Sequence, residues 1–168
     1  MAVEPLPNLP DRTFVCIDAN IFVYALAGQS AQCRQLIERC VREEVTGVVL
    51  FETVNEVTHR FMIAEAVAKG VITAGGAKAL RGKFRQIPAL TEYWRYTERM
   101  LALNLLFAPV NEIIIRTAQA VRQEAGLLTN DSLLVAAMRE YGLSYLASND
   151  SDFERVSGIA VFKPIDLP

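Results

Sequence analysis

The stretch FVCIDAN, residues 14–20, decides the fold of this chain. Its four apolar residues, Phe14 to Ile17, lead directly into the acid Asp18. A short apolar run of this kind predicts a buried strand, and a carboxylate at its end is costly unless it serves a site. The same order recurs late in the chain, where the apolar run Tyr145 to Ala147 is followed by Asp150. Two buried strands that both end near acids predict one sheet with a polar site at its edge.

Outward from these two runs, short strands alternate with helices. Strands are predicted at about 13–17, 48–50, 143–147 and 159–162, and helices at about 20–27, 31–45, 53–69, 74–86, 90–105, 111–126, 131–141 and 152–156. Such alternation requires right-handed crossovers and gives a sheet covered on both faces. We therefore predict a three-layer α/β/α sandwich around a mainly parallel sheet of four to five strands. In such sheets, sites gather beyond the carboxyl ends of the strands.

The helix boundaries rest on capping signals. Ser30 is a candidate N-cap for the helix at 31–45. Thr53 and Glu56 form a T-x-x-E pattern that predicts a capping box at the start of the next helix, which Gly70 would end. Gly126 is expected to end the helix that begins near residue 111.

Composition fits one domain of 168 residues with a well-filled core, because 52% of the residues are hydrophobic. No uncharged apolar stretch approaches the roughly 20 residues that span a bilayer, and no secretory leader pattern opens the chain. The three cysteines, Cys16, Cys33 and Cys40, lack metal-ligand spacing and are expected to be small core residues. We expect a cytoplasmic protein without a membrane segment.

A basic segment stands out against the net charge of −2. Residues 78–99 contain six basic residues and only two acids, and Tyr93, Trp94 and Tyr96 are interleaved with them. Cations that neutralise phosphates and rings that stack on bases are typical of a single-stranded nucleic-acid surface. The candidate substrate-binding residues are Arg81, Lys83, Arg85 and Arg95. An ordinary solvated helix pair with its aromatics turned inward is the alternative.

Acids at strand ends and helix starts form the candidate site: Asp18, Glu56, Asp131, Asp150 and Asp152. If the strands share a sheet, these carboxylates converge and repel one another unless a divalent cation lies between them. Mg²⁺ prefers oxygen ligands and keeps waters that a phosphate can displace. The sequence therefore predicts a metal-dependent phosphodiesterase.

Each of these acids also has a structural explanation. Glu56 could serve only the Thr53 cap, and Glu52 is its rival as the metal-facing acid. Asp131 could act only on the macrodipole of its helix, and the segment around Asp150 has strong turn chemistry.

Asn20 and Ser148 stand next to the strand-end acids and are expected to hydrogen-bond and orient them. The chain lacks the residues that other hydrolytic mechanisms require. His59 is the single histidine, which excludes a histidine-pair ribonuclease, and no G-x-S-x-G elbow is present. A dehalogenase-like phosphatase would need D-x-D where this chain has Asp18-Ala19-Asn20.

Four segments resemble the motifs of the PIN domain family in order and spacing. They are Val15 to Phe22, Thr53 to Val57, Asn130 to Ala137 and Ser148 to Phe153. The resemblance covers about residues 13–164, and the size is similar to that of the VapC-type toxins of the family. It implies a single PIN-like nuclease domain over 1–168, with an N-terminal extension at 1–12 and a variable helical region at about 65–108.

The resemblance also implies a function. Asp18, Glu56, Asp131 and Asp150 match the family's acidic quartet, and Asp152 matches a frequent fifth acid. The implied activity is an endoribonuclease that depends on Mg²⁺ or Mn²⁺, and the implied partners are a second copy and a small antitoxin encoded beside it. A non-toxin RNA-processing nuclease and an inactive RNA-binding or protein-binding module are the alternatives.

Overall fold

A computed structural model describes residues 3–73 and 76–167. The strands are β1 (Val3–Pro5), β2 (Phe14–Ile17), β3 (Thr46–Leu50), β4 (Leu106–Ala108), β5 (Tyr145–Ala147) and β6 (Ala160–Lys163). The α-helices are α1 (Ala19–Leu26), α2 (Ala31–Val41), α3 (Phe51–Ala68), α4 (Gly76–Arg81), α5 (Glu92–Leu101), α6 (Glu112–Ala125) and α7 (Thr129–Glu140). Short 3₁₀ helices lie at Leu6–Asn8, Phe84–Ala89 and Ser151–Arg155.

The described strands form one sheet of six in the order β1-β6-β5-β2-β3-β4, and every pairing is parallel. The chain builds outward from β2 through β3 to β4, and then crosses back to place β5 on the other side of β2. The boundary between β2 and β5 is therefore the topological switch point, where open α/β sheets form their ligand sites.

Alternating side chains divide the core into two layers, one on each face of the sheet. In β2, Val15 and Ile17 pack in the cluster that includes residues of α1, α2 and α3, whereas Cys16 packs in the cluster of α6 and α7. Neighbouring β5 repeats this division with Ala147 and Leu146. This alternation places helices on both faces and confirms the three-layer α/β/α sandwich.

The predicted strand count of four to five was wrong, and the sheet is wholly rather than mainly parallel. The first added strand, β1, lies in the segment expected to be an N-terminal extension, and it pairs with β6. The second, β4, pairs with β3. Each of these strands has only three residues, and a run that short carries too little periodicity to be recognised. Met1 and Ala2 lie outside the described residues.

Three predicted helices are shorter than expected. The helix predicted at 31–45 ends at Val41, and Glu43 adopts a left-handed φ of 59° that no helix can continue. The helix predicted at 74–86 ends at Arg81 instead of residue 86, and residues 74 and 75 lie outside the described part. The helix predicted at 90–105 begins at Glu92 and ends at Leu101, after a 3₁₀ helix that contains Pro88.

The predicted capping box of Thr53 and Glu56 is wrong. The helix α3 begins at Phe51, directly after β3, with Leu50 as an N-cap that offers no side-chain hydrogen bond. Thr53 is buried inside the first turn, and Glu56 bonds to Arg60 instead. The other three signals hold: Ser30 accepts from the backbone N–H of Cys33, Gly70 follows the end of α3 at φ 68°, and Gly126 ends α6 at φ 64°.

All three cysteines are buried and free, as expected for small core residues. Among the helices of residues 3–73 and 76–167, none combines the length and the apolar character that crossing a membrane requires.

Candidate metal centre at the carboxyl ends of β2 and β5

Three predicted site acids meet beyond the carboxyl end of β5. Asp150 caps the short 3₁₀ helix that follows this strand by accepting the N–H of Asp152 at 2.8 Å. Asp131 enters from the first turn of α7. One carboxylate oxygen from each of the three lies within 4.8 Å of the others. That spacing brings all three within reach of a single cation.

Asp18 lies at the end of the neighbouring strand β2 and is tightly fixed. Its Oδ1 accepts the N–H of Ala19 at 2.6 Å, which makes Asp18 the N-cap of α1. Its Oδ2 accepts hydrogen bonds from Asn20 Nδ2 at 2.5 Å and from Ser148 Oγ at 2.6 Å. The carboxylate therefore has one orientation, set by both neighbouring strand ends.

Asn20 and Ser148 join the two strand ends, as the sequence led us to expect. Ser148 is fully buried, accepts from Asn20 Nδ2 at 3.1 Å and from the N–H of Asp150 at 3.0 Å, and donates to Asp18. Asn20 also accepts the N–H of Asn149 through its Oδ1 at 3.1 Å. These bonds fix Asp18 relative to Asp150 across the switch point.

Beside Asp18 lies a narrow cleft between α3 and α7. Its polar lining consists of Asp18, Glu52, Thr53, Glu56, Asn130 and Asp131. Its free volume is about 20 Å³, which is room for one water-sized occupant. Asp18 and Glu56 thus share this cleft with Asp131, although they lie outside the group of three acids within 4.8 Å.

The two glutamates of α3 differ in their partners. Glu56 Oε1 accepts from Arg60 Nη2 at 2.7 Å and from Arg60 Nε at 3.0 Å, so a guanidinium already balances that oxygen. Glu52 Oε2 is buried and has no hydrogen-bond partner among the described residues. The sequence left the choice between these two glutamates open, and the structure places both at the cleft.

The site concentrates negative charge. Burial chiefly, together with the charges of Glu56 and Asp131, raises the pKa of Asp18 to about 6, against the hydrogen bonds from Ser148 and Ala19 that favour ionisation. Burial also raises the pKa of Asp131, helped by the charges of Asp150, Glu56 and Asp152. This is the electrostatic pattern of acids that share a space which a cation would neutralise.

Arg155 is a site residue that the sequence reasoning missed. Its Nη1 donates to Asp152 Oδ1 at 2.7 Å, and its Nε donates to the carbonyl of Ala125 at 2.6 Å. The guanidinium therefore fixes Asp152 against the end of α6 and lowers the negative charge beside Asp131. The three-residue spacing of Asp152 and Arg155 was the available signal, since such pairs meet on one helical face.

The candidate substrate-binding residues lie on α4, on α5 and in the segment between them, elements that carry none of the site acids. Arg81, Lys83 and Arg85 are exposed and have no ion pair within the described part of the chain, whereas Arg95 pairs with Glu92 at 3.0 Å. His59, the sole histidine, is exposed on α3.

The aromatic part of the basic segment differs from the expectation. Tyr93 and Tyr96 turn toward the core, and Tyr96 stacks on Phe61 with ring centroids 4.1 Å apart. Trp94 and Phe84 are the exposed rings, at 49% and 65%. The inward placement matches the alternative for the two tyrosines but not for Trp94.

The fold and the site together define an α/β protein with a parallel sheet and a cluster of carboxylates at its topological switch point. The PIN domain model matches residues 15–159. The chain therefore belongs to the PIN domain family, which confirms the resemblance of its motifs.

Individual relatives agree with this assignment. The chain is 25% identical over 161 residues to Ribonuclease VapC6 of Methanocaldococcus jannaschii, covering 89% of this chain and 96% of the relative. Its fold is similar to that of VapBC2 from Rickettsia felis bound to a promoter DNA fragment, with a TM-score of 0.58, 14% identity, and coverage of 89% and 98%. It is also similar to Mycobacterium tuberculosis VapC20, a toxin that cleaves the sarcin-ricin loop, with a TM-score of 0.54, 13% identity, and coverage of 86% and 96%.

Proposed function

We propose that this protein is a metal-dependent endoribonuclease that hydrolyses RNA phosphodiester bonds and is the toxin of a toxin-antitoxin pair. The observation that carries the proposal is the meeting of Asp131, Asp150 and Asp152 within 4.8 Å, beside the cleft of Asp18 and Glu56. A ribonuclease relative that aligns over 89% of the chain supports the choice of RNA as substrate. The unit we assign to this activity is residues 1–168.

The residues present fit a divalent cation of the Mg²⁺ or Mn²⁺ kind. The donors are all carboxylate oxygens, which hard cations prefer, and Glu52 Oε2 is a buried oxygen that lacks a partner in the described chain. We assign Asp18, Glu56, Asp131, Asp150 and Asp152 as the residues that hold the cation. A bound cation would supply Lewis-acid polarisation of the phosphate and an acidified water.

The chain's own residues then have distinct roles. Asp150 and Asp131 orient the attacking water, since an oxygen of each lies within 4.8 Å of the other. One of the two carboxylates accepts the proton of this water, and solvent supplies a proton to the leaving oxygen. Asn20 and Ser148 position Asp18 through the hydrogen bonds described above. Arg155 keeps Asp152 in place.

The substrate reaches these acids from outside, because a cleft of about 20 Å³ cannot admit a nucleotide. We propose that Arg81, Lys83, Arg85 and Arg95 neutralise the RNA backbone. Phe84 and Trp94 are exposed rings beside them on which bases can stack. Arg85 lies 5.7 Å over the Phe84 ring, which preorganises a cation and a ring together.

For partners, we propose a small antitoxin and a second copy of this chain, with the cytoplasm as the compartment because that is where the RNA is. Toxin-antitoxin assemblies among the structural neighbours support the antitoxin. A small gene beside this one would strengthen the assignment, and its absence would favour an RNA-processing nuclease outside toxin-antitoxin systems.

Purified protein incubated with total RNA tests the central proposal. We expect discrete cut ends in Mg²⁺ or Mn²⁺ and none in excess chelator, mapped by end sequencing. Cutting that persists in chelator would count against the cation. RNA that is bound but never cut would favour the inactive binding module.

A further inference from the structure

Glu52 is the site acid whose surroundings are least explained by the fold. It lies in the first turn of α3 and lines the same cleft as Asp18, Glu56 and Asp131. Its Oε2 is buried and accepts no hydrogen bond from a described residue. A carboxylate oxygen withdrawn from water is costly unless a donor or a cation meets it.

The position of Glu52 in its helix does not account for this oxygen. An acid in a first turn is favoured by the macrodipole, but that effect needs no burial. Asp18 and Asp150 also stand at helix starts, and each accepts a backbone N–H there. Glu52 Oε2 is buried without making such a bond, so a further positive partner is expected.

Glu56 does not remove the need for this second glutamate. One of its oxygens is held by both Nε and Nη2 of Arg60. Glu52 precedes it by four residues, on the same face of α3 and about 6 Å nearer the end of β3. Because β3 pairs with β2, that turn lies beside the strand that ends in Asp18.

We propose that Glu52 is a further ligand of the divalent cation and provides its Oε2 from the α3 side of the cleft. The inference rests on the proposed function, because the cation is that of the proposed ribonuclease. Glu56 keeps one oxygen on Arg60, so the negative charge that α3 brings to the cation depends on Glu52 as well.

Binding of Mn²⁺ alone to the full chain tests this role without any RNA. The free Mn²⁺ signal in electron paramagnetic resonance gives the Kd for the wild-type protein, for Glu52→Gln, and for the matched control Glu140→Gln. Glu140 is an exposed acid at the far end of α7, the helix that carries Asp131. We expect Glu52→Gln to raise the Kd at least about tenfold and the control to stay within twofold. A Kd for Glu52→Gln within twofold of wild type would overturn the proposal.

Thermal unfolding separates a ligand from a helix-start acid. In chelator, a ligand role predicts that Glu52→Gln has the same Tm as the wild type or a higher one, with a smaller rise on adding saturating Mn²⁺. A role limited to the macrodipole predicts a lower Tm in chelator and an unchanged rise, and that result would overturn the proposal. If Glu52→Gln does not fold, Glu52→Asp keeps the charge but withdraws the oxygen by one methylene, and the same tenfold loss is expected.

Cleavage measured in parallel keeps this inference distinct from the proposed function. If Glu52→Gln binds Mn²⁺ normally and the wild type cuts RNA, Glu52 is not a ligand and the proposed ribonuclease activity stands. If Glu52→Gln binds Mn²⁺ weakly and the wild type cuts no RNA, the ligand role of Glu52 is supported and the proposed ribonuclease activity is wrong. A wild-type protein that binds no Mn²⁺ would overturn both.

Discussion

The two ends of α3 each carry a glutamate with buried carboxylate atoms, and the two glutamates differ in their hydrogen-bond partners. Glu65, near the end of α3, is 7% exposed and is met by Lys69 Nζ at 2.6 Å and by the N–H groups of Thr91 and Tyr93 at 2.8 and 2.9 Å. At the start of the same helix, Glu52 Oε2 is buried and has no partner within the described residues.

The pKa values follow the same division. Burial alone would raise the pKa of Glu65, but the bonds from Lys69 and from the start of α5 outweigh it and lower the pKa to about 2. In the cleft, burial and neighbouring acids raise the pKa of Asp18 to about 6. The chain neutralises its structural acid by itself, whereas it leaves the switch-point acids with an excess of negative charge. The contrast supports our proposal that these acids hold a cation in addition to capping their helices.

The largest effect should come from Asp18→Asn. Removing a charge that the cation needs costs several kcal/mol of transition-state stabilisation, so we expect RNA cleavage in Mn²⁺ to fall about 10³-fold. Circular dichroism should show an unchanged fold, because the side chain keeps its size.

Glu65→Gln is the matched control for Asp18→Asn, since it neutralises a buried acid on the structural side. Assayed where the protein is fully folded, it should keep its cleavage rate within a few-fold of wild type. Equal losses in the two variants would erase the distinction between the regions.

The free energy of unfolding should be more sensitive to changes at Glu65 than to changes at the cleft acids. Glu65→Ala leaves Lys69 and two backbone N–H groups without their acceptor, and we expect the free energy of unfolding to fall by about 3–4 kcal/mol. Urea unfolding in chelator measures this loss. Glu140→Ala, at an exposed position, should stay within about 0.5 kcal/mol of wild type. A Glu65→Ala variant as stable as this control would show that Glu65 does not hold α3 to α5.

The sequence predicted these two regions unequally, and the reason is physical. Strand-end acids such as Asp18 and Asp150 interrupt or follow apolar runs, so their position in a parallel sheet was visible from local pattern. Glu65 pairs locally with Lys69, four residues on, but it receives its two backbone bonds from residues 26 and 28 positions further along, and no local pattern reports those contacts.

Errors in the predicted elements have a similar origin. The T-x-x-E pattern at Thr53 predicted a cap, but β3 runs into α3 without a break and the tertiary packing overrides the local signal. The strands β1 and β4 are held by their neighbours in the sheet and have only three residues each, so their sequences alone could not define them. The burial of Glu52 Oε2 arises from tertiary packing, which the local sequence pattern does not report.

The free energy of unfolding should depend on pH in opposite directions for the two regions. Because the folded pKa of Asp18, about 6, lies above its ordinary value of 3.8, the folded state binds the proton more tightly. In chelator, the stability from Asp18 should therefore fall by about 2–3 kcal/mol as pH rises from 4 to 7. Asp18→Asn should flatten this slope.

Glu65 should act in the other direction, because its folded pKa of about 2 lies below its ordinary value of 4.5. Its contribution is present above pH 4.5 and is lost as pH falls toward 2, a loss that Glu65→Gln should not show. Urea unfolding across this pH range tests both signs. A wild-type slope between pH 4 and 7 that persists in Asp18→Asn would assign it to other acids of the cleft.

The smallest of these effects tests how the cleft acids are held. Ser148→Ala removes the Oγ that donates to Asp18 at 2.6 Å and accepts from Asp150 N–H, so we expect the Kd for Mn²⁺ to rise about tenfold. Ser30→Ala is the matched control, because Ser30 is also buried and donates to an aspartate, Asp166, at 2.6 Å. Both variants should lose stability, but only Ser148→Ala should lose affinity for the cation. Equal Kd values in the two variants would mean that Asp18 holds its orientation without Ser148, and that the rigidity of the switch point comes from Asn20 and the backbone.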